Sequence, residues 1–244
     1  PTLLKETVIE ALSRAIRWGR LMDGLVDPLR ACLDAAGTSK VLDLCAGAGG
    51  PAVVLAEAMA KRGHDVHFLM TDLLPQVPEW EAAVAASAGT LDFVREPVDA
   101  TRIPPALGAG RVRMIINALH HFPPDVARAV LRGACENAPG LFVAESLVRN
   151  PLSFAAMAPA GIAALMATPV LAKDRHVQRA LITWFTPIAL AVSAWDGTVS
   201  SMRIYEPAEL RAMVEDLPGW TWTSGHYAHS ANLGRGVWLS GTRN

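Results

Sequence analysis

Residues 40–50, Lys-Val-Leu-Asp-Leu-Cys-Ala-Gly-Ala-Gly-Gly, constrain the fold of this chain more than any other stretch. A short apolar strand (Val41, Leu42, Leu44) runs into a glycine-rich turn, and Pro51-Ala-Val-Val-Leu-Ala-Glu-Ala-Met reads as a helix directly after it. Pro51 suits a first helical turn, where its missing N–H costs no hydrogen bond. Gly47 and Gly49 permit positive φ and close approach of backbone to a ligand. Two ligand chemistries use such a corner. The spacing Gly47, Gly49, Ala52 satisfies the dinucleotide fingerprint, which receives a pyrophosphate on the helix N-terminus. Asp43 favours the other, because a carboxylate at the strand tip repels a diphosphate. It attracts instead a cationic donor such as S-adenosylmethionine, which carries an ammonium and a sulfonium and no phosphate.

Strand and helix patterns alternate from there to residue 146. Apolar strands read at 40–45, 66–71, 92–95, 113–117 and 141–145, with helices near 51–62, 76–87 and 124–137. Such alternation predicts a parallel sheet covered by helices on both faces. Pro104-Pro105 and Gly108-Ala-Gly110 mark a loop before the fourth strand. Upstream, residues 3–35 carry apolar positions at helical spacing, with breaks expected at Gly24 and Pro28. From 147 to 204 the alternation stops and gives way to apolar helix over 152–167, 169–173 and 175–195, interrupted by prolines. A helix over 207–217 and strands at 220–227 and 236–241 close the chain, with a hairpin loop expected at Asn232-Leu-Gly-Arg-Gly. The chain therefore reads as one domain, 1–244: an N-terminal helical cap (1–37), a cofactor-binding core (38–146 and 205–244) and a helical substrate-binding insertion (147–204).

Five segments in order resemble the class I S-adenosylmethionine-dependent methyltransferases of small-molecule type. Val41 to Gly50 resembles their Asp/Glu-x-Gly-x-Gly-x-Gly motif, Val66 to Asp72 their second strand, and Phe93 to Ala100 the adenine-contacting segment. Met114 to Phe122 resembles the fourth strand and the loop beneath the methyl group, and Tyr205 to Val214 the late helix. The resemblance implies a Rossmann-like, doubly wound, mostly parallel seven-stranded sheet whose last strand is antiparallel. It also implies that Asp43, Cys45, Ala46, Gly47 and Gly49 line the donor's amino-acid end. Asp72 and Leu73 would meet the ribose, Asp99 and Ala100 the adenine, and Asn117 and Ala118 the floor beneath the methyl group. Cys45 departs from the family's first glycine, and Asn117 stands where an acid is common. No Asn/Asp-Pro-Pro-Tyr/Phe motif of amide- or base-methylating members is present.

In an open parallel sheet, ligands bind beyond the carboxyl ends of the strands where strand order reverses. That rule places Asp43, Cys45, Gly47, Asp72, Asp99 and Asn117 around one crevice. Asp72 ends a strand 23 residues past Gly49, near the spacing of a ribose-binding acid. An Asx-turn before Ile103-Pro104 accounts for Asp99 nearly as well. Methyl transfer depends mainly on alignment, which contributes about 7–11 kcal/mol. A base is needed only where the nucleophile must lose a proton. His120 and His121 follow the fourth strand and are the candidates, His121 first. The insertion supplies apolar wall candidates (Trp184, Phe185, Trp195, Met157, Met166, Met202) and polar groups at their edge (Asp196, Arg203, Tyr205). Trp18 on the N-terminal helix is expected either to close the crevice from above or simply to pack that helix down. An Asp196–Arg203 ion pair that simply holds the insertion closed accounts equally for those two charges.

Composition narrows the partners. Net charge is −1 and no basic run is long enough for a phosphate track, which argues against nucleic acid. Three cysteines, an odd number without CxxC spacing, and the lack of a secretory pattern lead us to expect a reduced, cytoplasmic protein without metal. Residues 153–172 carry no charge, but Pro159, Gly161, Pro169 and abundant alanine suit a buried lid better than a membrane span. The expected activity is methyl transfer from S-adenosylmethionine to a small apolar or aromatic acceptor, indole- or phenol-like, at an O, N or C atom, within secondary metabolism. Two alternatives stand beside it. A nicotinamide-dependent oxidoreductase would use the same turn, but neither Tyr205 nor Tyr227 has the lysine four residues on that its short-chain form needs. An inactive donor-binding partner subunit is the other. Oligomeric state is open, a homodimer included.

Overall fold

The computed structural model describes residues 2–229 and 234–244, apart from the side chains of residues 151, 153, 154 and 156. Seven strands, β1 (Lys40–Leu44), β2 (His67–Met70), β3 (Leu91–Phe93), β4 (Val112–Ile116), β5 (Gly140–Glu145), β6 (Trp220–Ala228) and β7 (Arg235–Arg243), form one sheet. Their order is β3-β2-β1-β4-β5-β7-β6, and β7 alone runs antiparallel to its neighbours β5 and β6. This is the sheet the resemblance implies. Strand order reverses between β1 and β4, which pair side by side, so Asp43 lies level with Met70 on β2 and Met114 on β4.

Burial on both faces explains the near-continuous apolar strands. Val41, Met114, Phe68 and Phe142 point into one layer with Leu25, Leu29, Leu55 and Trp80. Leu42, Leu44, Ile115 and Val143 point into the other with Leu131, Leu210 and Leu239. The first layer is covered by helices α2 (Val26–Ala35), α3 (Gly50–Lys61) and α4 (Val77–Ala86). A single turn, α5 (Pro105–Gly108), stands in the expected loop, and α6 (Pro124–Cys135) covers the second layer.

The N-terminal helices differ from expectation at their break. Helix α1 (Thr2–Trp18) ends at Trp18, a 3-10 turn spans Asp23–Leu25, and Pro28 falls inside the first turn of α2. There its missing N–H had no intrahelical partner, so it starts the helix rather than breaking it.

The insertion is also segmented differently. Helix α7 (Pro151–Leu171) runs through both Pro159 and Pro169, and α8 (His176–Trp184) and α9 (Ile188–Arg203) are separated at Phe185–Pro187. Each internal proline removes one helical N–H bond. Beside the second, Thr168 donates its hydroxyl to the Ala164 carbonyl at 2.9 Å. The last helix, α10 (Pro207–Ala212), is shorter than expected, and the expected hairpin loop at 232–236 lies partly outside the described residues.

Helix α1 packs between α3 and the three insertion helices. Two buried arginines fasten it. Arg14 donates to Thr168 Oγ1 at 2.7 Å, and Arg179 reaches Glu10 at 2.8 Å and Thr7 Oγ1 at 3.2 Å. No single helix among the described residues is long and apolar enough to cross a membrane; α8 and α9 reach that composition only as a pair bent by 72°.

Candidate functional site

The β1–α3 corner is built for close approach. After Leu44 the chain takes φ +60 at Cys45, +54 at Gly47 and +79 at Gly49, which caps α3. A Cβ on Gly49 would lie 2.9 Å from Met70 Sδ and 3.3 Å from the ring of the fully buried Trp80, so only glycine fits there. Trp80 holds the turn from beneath, its Nε1 donating to the Gly47 carbonyl at 2.9 Å. Asp72, at the end of β2, holds it from the side. Its two oxygens accept from Gly47 N at 2.8 Å and Leu74 N at 2.9 Å.

Asp43 is 2% exposed, and its Oδ2 has no hydrogen-bond partner among the described residues. Burial, and then the neighbouring Asp72, push its carboxyl well above the usual range. An acceptor buried without a donor costs about 1–3 kcal/mol. Burial, followed by the charges of Asp72, Asp43 and Asp99, pushes the half-buried Cys45 thiol up to about 12.

The remaining candidates divide. Asp99 is exposed, and its Oδ1 accepts from Thr101 N at 2.8 Å and Thr101 Oγ1 at 2.7 Å, bonds that hold its carboxyl below the usual range. It forms the local turn that the sequence allowed as an alternative. Ala46, Ala100 and Ala118 are buried, while Leu73 is exposed. Asn117 takes φ +56, and its Oδ1 accepts from Ser146 N at 2.7 Å, tying the ends of β4 and β5 together.

The two histidines have separate environments. His120 is buried, and Glu145 meets it twice: Oε1 accepts from His120 N at 3.1 Å and Oε2 lies 2.8 Å from Nδ1. That geometry assigns a proton to Nδ1 and leaves Nε2, for which the described residues offer no hydrogen-bond partner. His121 is exposed, its ring 4.1 Å from that of His120. Partial cover of its imidazole, and then His120, lower its pKa; Glu145 and Asp196 oppose them, and Arg203 adds to the lowering. The carboxylate partner thus belongs to His120, the second of the two in the sequence ranking. Glu145 itself went unnoticed there, although an acid closing a buried strand is the signal that marked Asp43 and Asp72.

Among the insertion candidates, Asp196 and Arg203 lie near enough to His121 to act on its charge, and no ion pair joins them among the described residues. Trp195 is 74% exposed, and Trp184 is half exposed with its Nε1 donating to the Met166 carbonyl at 2.9 Å. Trp18 is exposed at the end of α1, Phe185 and Met202 are exposed, and Met157 is buried in the core. Tyr205 does not stand at a pocket edge. It is buried in the second core layer, and its hydroxyl donates to the Phe122 carbonyl at 2.7 Å. A tyrosine beginning an apolar helix gains more from covering that layer than from facing water. No group of three or more metal-ligating side chains occurs among the described residues.

No protein-family model matches the sequence, and no curated protein matches it either. Solved structures do match. The magnesium protoporphyrin IX methyltransferase of Synechocystis PCC 6803, solved with bound S-adenosylhomocysteine, superposes with a TM-score of 0.53 at 16% identity, over 94% of this chain and 86% of that one. An O-methyltransferase from neocarzinostatin biosynthesis, solved with S-adenosylmethionine and 2-hydroxy-5-methyl naphthoic acid, superposes with a TM-score of 0.51 at 16% identity, over 93% of this chain and 57% of that one. The present chain thus spans little more than half of the second protein. These likenesses, with the strand order, show the fold of S-adenosylmethionine-dependent methyltransferases.

Proposed function

We propose that the chain transfers a methyl group from S-adenosylmethionine to a hydroxyl of a small, apolar or aromatic acceptor. The orphaned Oδ2 of Asp43, buried at the tip of β1, carries the donor half of this reading. It is an acceptor awaiting a positive group, in a corner crowded with carboxylates and therefore hostile to a diphosphate. Gly47 and Gly49 admit the donor's backbone-hugging end, and Asp72 keeps free lone pairs toward the crevice after its two turn bonds. When bound, S-adenosylmethionine supplies a methyl group on a sulfonium, a good leaving group.

The chain's own part is to orient the acceptor and take its proton. Glu145 fixes the tautomer and ring plane of His120 and stabilises the imidazolium formed when Nε2 accepts a proton. Such a base is useful for an acceptor O–H and idle for one that has no proton to lose. The charges of Asp196 and Arg203 on α9 reach His121, which supports an acceptor with a polar edge on that side. The neocarzinostatin-pathway enzyme, with its naphthoic acid, supports an aromatic acceptor of this kind.

Calorimetry tests the donor. S-adenosylhomocysteine is expected to bind and NAD and NADP are not, and Asp72→Ala is expected to weaken binding about tenfold, the worth of paired hydrogen bonds to a charged group. Binding of a nicotinamide dinucleotide instead would refute the assignment. Transfer of a labelled methyl group to a panel of phenols and hydroxy-aromatic acids then tests the acceptor; binding of donor with no transfer to any of them favours an inactive partner subunit.

A further inference from the structure

A cavity of about 500 Å³ lies between α1, α3 and α4 and beneath the end of α7, and it reaches the back of the glycine-rich turn at Ala48 and Gly50. Of the crevice side chains considered above, it includes none. The helices meet it with their helical-period faces, yet those faces are paved with small residues: α3 presents Val53, Ala56 and Ala60, and α4 presents Ala82, Ala83 and Ala86. Leucine or isoleucine at such positions would close the space, as interiors normally are closed. The groove follows α4 for about ten residues, or roughly 15 Å at the helical rise.

Its two arginines are set on the α1 side. Arg14, 8% exposed, lines the cavity and uses only Nη1 in its bonds to Thr168 Oγ1 and the Ala164 carbonyl; Nε and Nη2 make none among the described residues. Arg17, one turn on, is exposed, and its side chain has neither ion pair nor hydrogen bond among the described residues. The acids nearby are largely engaged elsewhere. Glu10 pairs with Arg179, and Glu79 faces Lys173 at 3.6 Å, leaving Glu57 on the far wall.

We propose that this groove binds an amphipathic carboxylate, its apolar body along the alanine floor and its head between Arg14 and Arg17. Guanidinium forks match carboxylate geometry, and a cavity of this size with an apolar wall and a few placed polar groups suits a small ligand. The inference does not rest on the methyl-transfer reading.

Decanoate, titrated below its micelle concentration into the full chain, is expected to bind saturably at one site by calorimetry. Decanol, which keeps the body and loses the charge, is expected to bind about tenfold more weakly. Arg17→Gln is expected to weaken decanoate about tenfold and leave decanol unchanged. Ala82→Trp fills the groove and is expected to abolish both. S-adenosylhomocysteine affinity should stay unchanged in both variants; its failure to bind even the parent chain would count against the methyl-donor assignment alone. The groove assignment is overturned by no saturable decanoate binding, by decanol binding as tightly as decanoate, or by Arg17→Gln or a folded Ala82→Trp binding decanoate undiminished.

Discussion

Glu145 holds His120 by two atoms at once, its backbone N–H at 3.1 Å and its Nδ1 at 2.8 Å. A carboxylate 1% exposed has little reason to sit there unless both bonds are needed to fix one ring orientation. His120→Ala is therefore expected to lower turnover by about 10²–10⁴-fold, the usual worth of a positioned base. Glu145→Gln should fall between that variant and the parent, with S-adenosylhomocysteine affinity kept. His121→Ala should cost less than about tenfold on the same scale. Steady-state rates of the three variants decide; equal losses from both histidines would contradict the dyad.

Asp43 sets stability against binding. Its folded pKa is raised, so between the unfolded value, about 3.9, and the folded one the native state holds the extra proton. Stability contributed by this group is therefore greatest in acid and lost as pH rises through that window. Asp43→Asn is expected to be more stable than the parent by about 1–3 kcal/mol at pH 8, a difference that closes near pH 4. The same variant should lose affinity for S-adenosylhomocysteine. Denaturant melts at the two pH values check the sign, and a variant less stable at pH 8 would show that the carboxylate is satisfied after all.

Cys45 should be a poor nucleophile despite its place at the crevice. With its thiol near 12, about one molecule in 10⁴ carries a thiolate at pH 8. Alkylation by iodoacetamide is expected to be far slower than for a free thiol, and Asp72→Ala should speed it by removing a negative neighbour. Mass mapping of the labelled peptide reports both rates. Rapid labelling of Cys45 in the parent would contradict the electrostatics of the corner.

Gly49→Ala combines a positive φ with a Cβ 2.9 Å from Met70 Sδ. The expected cost is about 1–3 kcal/mol. Gly47→Ala shares the positive φ, but nothing lies within 4 Å of its Cβ, so it should cost less. Thermal melts of the pair separate backbone strain from crowding; equal losses would show that crowding contributes nothing.

The sheet was legible because its evidence is local. Val41, Leu42, Leu44 and Met114 to Ile116 are apolar and buried on both faces, and the glycines of the corner can serve only a few backbone shapes. The acids Asp43 and Asp72 were visible for the same reason, each closing an apolar strand. Glu145 closes one too, but its partner lies 25 residues away, and periodicity carries no information about such a pair. Trp80 was hidden likewise, since its bond to Gly47 spans 33 residues. Pro159 and Pro169 misled in the opposite direction. Local propensity breaks a helix at each, whereas packing of α7 against α1 and α9 carries the helix through both. Tyr205 looked like a pocket residue because a polar tip on an aromatic ring suits a pocket rim and a core carbonyl equally well.

Helix α1 leans on the insertion through Arg14 and Arg179, and hardly on the strands that present Asp43 and Asp72. It also packs on α3, where Ser13 lies against Gly50 of the glycine corner, so α1 is a brace common to the parts that would grip the donor and the parts that would choose the acceptor. Substitutions at Thr7, Glu10 or Thr168 would loosen the insertion from α1 and, through α1, reach the glycine corner. On the proposed function, a change at the insertion that suits a new acceptor would therefore be felt at the donor corner as well.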